Sequence, residues 1–204
     1  MADIIESDTT IIDLNQGLYD ALSAYVDASV SIIFDLPATD NPPTEPTLSV
    51  FLYEIHEDLQ MRTAQMRTPP NPSGSTTITI APGAANVCCN YIITYWDIAQ
   101  TQTSSPGSPG GAPDNTAIKV MNKVVNALIN SRQLAEIPGA YTRMIPPKAE
   151  LNSLGNFWQS LGNKPRLSLN VSVTVPVPLT DKNITVPTVK NTDAEVAQWP
   201  PVSQ

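Results

Sequence analysis

From Leu167 to Val177 the chain alternates without a fault. Leu167, Leu169, Val171, Val173, Val175 and Val177 point one way, and Ser168, Asn170, Ser172 and Thr174 point the other. A period of two over this length predicts a strand with one buried face, and so a sheet covered on one side. A different period governs the N-terminal stretch. Ile11, Leu14, Leu18, Ala21, Leu22 and Tyr25 recur at helical spacing, predicting an amphipathic helix over Thr9 to Asp27. Asp8 or Thr9 can cap it, and Asp13 suits its positive end. Gly17 costs about 1 kcal/mol against Ala inside a helix, which points to close packing there.

Further elements follow from the same reasoning. Val30 to Leu36 reads as a strand stopped by Pro37, and Thr47 to Ile55 as a second. In the second, Leu48, Val50 and Leu52 share one face and Phe51 and Tyr53 the other, the pattern of a strand covered on both sides. Thr76 to Ile80 is a short candidate strand, and Val87 to Trp96 has the composition of a central one. Asp114 is placed to cap a helix over Thr116 to Ser131, with Ile118, Met121, Val124, Val125, Leu128 and Ile129 as its apolar stripe. A Pro-punctuated link leads to a third helix, Leu151 to Leu161. The long alternating strand cannot stand alone. It needs partner strands and a helical cover, which makes the fold α+β: a mixed, mainly antiparallel sheet of about four to five strands covered by two to three helices. Extended Pro-rich arms and loops and a C-terminal tail complete it. One domain is expected over residues 1–179, with a flexible Gly/Ser/Pro insert at 101–113, followed by an arm or tail at 180–204.

Composition narrows the function. The chain has 204 residues, 20 of them Pro, with a net charge of −8, and its 11 Lys and Arg never cluster. A nucleic-acid binder needs a basic stripe that displaces counterions, so nucleic acid is not an expected partner. An anionic membrane surface is disfavoured for the same reason, and the acidic N-terminus, MADIIESDTT, lacks the features of a targeting signal. Cys88 and Cys89 are adjacent in a strand-like run, where neighbours face opposite ways. A disulfide between them is disfavoured and buried free thiols are expected, in keeping with a cytoplasmic protein.

Catalytic chemistry finds little support. The single histidine, His56, shares a strand face with Glu54 and Asp58. A hard-ligand metal site is imaginable there, but a solvated strand end is the simpler reading. No G-x-S-x-G elbow presents a nucleophile to His56, and no G-x-x-x-x-G-K-[ST] loop cradles a phosphate. The two Asn-x-Ser/Thr matches, at Asn170 and Asn183, are chance without a secretory signal. No catalytic residue, metal site or cofactor is therefore expected, and no small-molecule substrate. Met61, Arg62, Met66 and Arg67 in the Glu57 to Pro72 arm are of types that favour protein interfaces. With Lys164, Arg166 and Trp199 they form the candidate contact set.

Several segments, in order, resemble a known family. They are the helix over Ile11 to Val26, the run Ile32-Ile33-Phe34-Asp35-Leu36-Pro37, and Leu48-Ser49-Val50-Phe51-Leu52-Tyr53-Glu54-Ile55-His56-Glu57-Asp58. Tyr91-Ile92-Ile93-Thr94-Tyr95 follows, then the helix from Ile118, then Phe157 to Leu169 (FWQSLGNKPRLSL). Together they look like the cap, or tube-terminator, proteins of phage-tail-like contractile injection systems. Where that family has Arg-Pro-Ser, this chain has Pro-Arg-Leu-Ser; the 101–113 insert and the tail find no counterpart. The resemblance implies a sixfold ring at the end of the inner tube distal to the baseplate. Such a ring has the tube protein and the sheath protein as partners, stops tube growth and anchors the last sheath ring. A terminator of a true phage tail is the nearest alternative. A carbohydrate-binding module using Trp96, Trp158 and Trp199 is a more distant one, disfavoured by the two strong helices.

Overall fold

The computed structural model describes residues 7–38, 42–58, 83–97, 113–135, 137–146 and 166–179, together with the backbone of 77–80 and 184–187. In chain order the elements are α1 (Thr10–Ser23), β1 (Ser31–Ile33), β2 (Thr47–Glu57), β3 (Thr77–Ile80), β4 (Ala84–Trp96), α2 (Thr116–Asn130), β5 (Tyr141–Ile145), β6 (Ser168–Pro178) and β7 (Ile184–Pro187). They divide into two compact units, Met1–Arg62 with Ala84–Pro178, and Thr63–Gly83 with Leu179–Gln204.

The first unit is α+β. Its five-stranded sheet has the order β1-β2-β4-β6-β5. Only β1 and β2 run parallel; the other pairs are antiparallel. The three longest strands, β2, β4 and β6, lie at the centre because they carry the longest β-forming runs. Cys89 pairs with Val173 and Tyr91 with Val171, so these residues share one face. With Leu48 and Val50 of β2 they meet Leu14, Leu18 and Leu22 of α1 and Val120, Met121, Val124, Ala127 and Leu128 of α2 in one cluster. Tyr91, fully buried, donates its hydroxyl to Asn15 Oδ1 of α1 at 2.8 Å, tying sheet to helix.

The helices differ from expectation in detail. α1 ends at Ser23, and Tyr25 lies exposed beyond it. Thr9 is its N-cap residue without a side-chain cap bond, while Asp8 Oδ1 accepts from the Thr10 amide at 2.8 Å. A Cβ on Gly17 would sit 3.4 Å from Ile137 Cδ1, so glycine there does allow a close approach. In α2 the cap is Asn115, which accepts from Ile118 N at 3.0 Å, and not Asp114. Asp114 pairs instead with Lys119 at 2.9 Å, and the Lys119 ammonium holds its carboxyl below the usual range. Ile118 and Ile129, expected in the core, are more than two-fifths exposed. The core stripe keeps the expected Met121, Val124 and Leu128 and takes in Val120 and Ala127 in place of Ile118 and Ile129.

Two strand expectations change as well. β5, inside the presumed link, forms an edge of the sheet. The sheet is also not covered on one side only. Asn170, Ser172 and Thr174, the polar face of β6, are as inaccessible as Val171, Val173 and Val175.

The second unit contains the antiparallel pair β3–β7, in register from Thr77↔Pro187 to Ile80↔Ile184. Within it Leu179 N donates to Gly83 O at 2.8 Å. Residues 184–187, in the segment read as a tail, thus form a strand. The insert 101–113 but for Pro113, the arm beyond Asp58 and the third helix at 151–161 lie outside the described residues.

Candidate assembly surfaces

Among the described residues no strand pairs with the outer edge of β5, and this edge carries a distinctive set of side chains. Tyr141, Arg143 and Met144 are exposed, while Thr142 points into the core. The preceding turn fastens the edge: Thr142 N donates to Arg132 O at 2.8 Å, and Arg132 Nη1 donates to the Tyr141 hydroxyl at 3.1 Å. Tyr, Arg and Met are enriched at protein interfaces, and here they concentrate on one strand of an otherwise acidic chain. The opposite edge is unlike it, since β1 has only three residues.

The polar face of β4 and β6 is a ladder of short side chains. Asn90 Nδ2 donates to Glu54 Oε2 at 2.7 Å, and Cys88 Sγ lies 3.0 Å from Ser172 Oγ. Trp96 Nε1 donates to Thr94 Oγ1 at 3.0 Å. A register shift between Leu52 and Glu54 turns Glu54 and His56 onto this face, opposite Asn90 and Cys88. His56 Nδ1 stands 3.7 Å from Glu54 Oε1 at the exposed end of β2. Among the described residues no three His, Cys, Asp or Glu side chains are grouped to hold a metal. The ladder is not fully bonded: Asn170 Oδ1 and Thr174 Oγ1 are buried without a partner. The Cys88 thiol of this face and the Cys89 thiol of the opposite face form no disulfide, and burial, with Cys88 beside it, pushes the Cys89 thiol up to about 11. A thiol held protonated in this way is a poor nucleophile.

An open groove of about 310 Å³ lies between α1 and the turn before β5, lined by Thr10, Asp13, Gln16, Gly17, Ile137, Pro138 and Pro176. Asp13 accepts from the Thr9 hydroxyl at 2.9 Å. Among the described residues no buried polar cluster of the kind a substrate site uses to orient a ligand converges on the groove.

Of the candidate contact set, Arg166 is described. Its guanidinium carbon stacks 3.9 Å from the centroid of the Trp96 ring, the geometry of a cation–π pair. Partial burial lowers its pKa, against the opposing pull of Asp97. Met61, Arg62, Met66, Arg67, Lys164 and Trp199 lie outside the described residues, as does Trp158. Sequence reasoning missed Arg132, Tyr141, Arg143 and Met144. The available signal was the Tyr-Thr-Arg-Met-Ile run between Pro138 and Pro146, too short to stand out.

The chain is similar to known proteins along nearly its whole length. The family described as the Pvc16 N-terminal domain matches residues 13–191. Two solved structures are alike in sequence and fold. One is the PVC sheath/tube terminator of an extracellular contractile injection system in its extended state, 48% identical with a TM-score of 0.66. The other is the tube-terminating cap of the anti-feeding prophage, 51% identical with a TM-score of 0.65. They match over 98% and 91% of this chain, which spans 67% and 61% of theirs. No curated protein matches it.

Proposed function

The chain belongs to the family of the Pvc16 N-terminal domain, and from that premise we propose that it is a structural cap of a contractile injection particle, ending the inner tube. The observation that carries this reading is the 48% and 51% identity to a sheath/tube terminator and a tube-terminating cap, over nearly the full chain. The fold fits the role. A tube built of head-to-tail contacts has no intrinsic end. Its terminator must offer one surface to the last ring and another that no further ring fits. A sheet with a Tyr/Arg/Met-rich edge on one side and a three-residue edge on the other supplies unlike sides of this kind.

The finer reading is a homohexameric ring in contact with tube and sheath protein, assembled in the cytoplasm and set at the end of the particle distal to its baseplate. It works by shape and makes or breaks no covalent bond. Met61, Arg62, Met66, Arg67, Lys164, Arg166 and Trp199 remain candidates for tube or sheath contacts. Particles assembled without the chain are the test. Electron micrographs should show tubes of uncontrolled length, and tubes of normal, uniform length overturn the reading.

A further inference from the structure

One line of the polar sheet face runs from a carboxylate to a guanidinium. Glu54 of β2 lies opposite Asn90 of β4, Asn90 opposite Ser172 of β6, and Ser172 opposite Arg143 of β5. Residues directly opposite share a face, so the four form one line across the strands. At its inner end Asn90 donates to Glu54 at 2.7 Å. Its outer end, Arg143, is exposed at the sheet edge. Two residues before it on the same face, the Tyr141 hydroxyl holds the Arg132 guanidinium at 3.1 Å. Every other described lysine or arginine is matched. Lys119 pairs with Asp114 at 2.9 Å and Lys123 with Asp27 at 2.6 Å, while Arg166 stacks on Trp96 under the pull of Asp97. Among the described residues Arg132 and Arg143 alone have no carboxylate partner, in a chain of 19 acidic residues and 11 basic ones.

The backbone beside Arg143 is open as well. Thr142 N donates to Arg132 O at 2.8 Å, and so points away from β6. Main-chain groups alternate in direction along a strand. The Thr142 carbonyl and the Met144 amide and carbonyl therefore point outward too, and among the described residues nothing bonds them. On the opposite face Met144, paired with Val171, is 36% exposed. The edge thus offers three main-chain groups, an unmatched cation on one face and an apolar side chain on the other.

We propose that this edge takes an added strand from another protein of the particle, with a carboxylate beside Arg143 and an apolar residue beside Met144. In strand addition the main-chain bonds supply affinity and alternate side chains supply specificity. A carboxylate at that register continues the line from Glu54 to Arg143 by one strand and gives Arg143 the partner it lacks. The sheet edges of a second copy do not fit. β5 laid on β5 through the Thr142 and Met144 groups sets Arg143 against Arg143, and like charges directly opposite are destabilising. β1, which is Ser31-Ile32-Ile33, carries no carboxylate. The contact rests on the cap reading and states the chemistry by which the cap holds a neighbouring protein.

Photo-crosslinking in assembled particles tests it, with p-benzoylphenylalanine in place of Met144. Irradiation and mass spectrometry should join this chain to one peptide of another protein, with Asp or Glu next to the linked residue. Arg143→Glu turns the pair into a like-charge contact and should lower the yield about tenfold, while Arg143→Lys should keep most of it. Changing the partner's carboxylate to Lys should restore the yield in Arg143→Glu. Circular dichroism melts of Arg143→Glu should match wild type; if they fall well below, Arg143→Gln is read instead. A missing cross-link, a linked peptide without a carboxylate, or a link to a second copy of this chain overturns the contact. So does a yield that Arg143→Glu leaves unchanged, since Arg143 then only guards an open edge. Tubes of normal length in particles that give no cross-link remove this contact and leave the cap reading standing. The expected cross-link, in particles whose tube length does not depend on this chain, does the reverse.

Discussion

The two faces of the central strands are equally inaccessible and chemically opposite. On one, Cys89, Tyr91, Ile93, Val171, Val173 and Val175 lie under α1 and α2. On the other, Cys88, Asn90, Thr94, Asn170, Ser172 and Thr174 are just as hidden. The first is held by apolar packing, which is non-directional and tolerates adjustment. The second is held by side-chain bonds across strands, which are directional and fail when one partner is lost. Burial alone therefore says little about what a face contributes; the bonding of its polar groups decides it.

The comparison can be broken most forcefully on the apolar face. Leu18 is fully buried against the sheet, so Leu18→Ala should cost about 2–5 kcal/mol in urea unfolding. On the polar face Asn90→Ala should cost about 1–3 kcal/mol, since it removes the part-buried hydrogen bond to the Glu54 carboxylate. A loss below about 0.5 kcal/mol there would show that the ladder contributes no cohesion.

The Cys89 thiol of the apolar face adds a pH dependence. Its folded pKa is raised from 9.0 to about 11, with burial the main cause. The stabilisation is therefore complete below about pH 9 and is lost as pH rises through about 11. The decline should be about 1–3 kcal/mol and should shrink in Cys89→Ala, read from urea midpoints across that window. At α2, Asn115→Ala should cost about 1 kcal/mol and Asp114→Ala less, because the amide and not the carboxylate caps the helix. The smallest effect has the opposite sign. Thr174 Oγ1 is buried without a partner, so Thr174→Val should leave the melting temperature unchanged or raise it slightly.

What could be read from the sequence divides along the same line. α1, β2, β4 and β6 stood out because each is long and its period is carried by Leu, Val and Ile. Whether Ser172 and Thr174 meet water could not be read, since alternation reports which residues share a face and not what lies over it. Ile118 and Ile129 were misplaced for a related reason. An apolar arc wider than the core requires reads as one stripe, although only the Val120–Val124–Leu128 side faces the sheet. β5 escaped because five residues between prolines carry too short a period. The contact residues proposed from Met and Arg in the arm rest on residue type alone. Tyr141 and Arg143 have both the type and an exposed edge.

Cryo-electron microscopy of assembled particles carrying this chain tests the central claim most directly. The account predicts a ring of several copies seated on the last ring of the inner tube at one end only, with tube lengths narrowly distributed. Particles of the same length distribution whose tube ends show no density for this chain would contradict it.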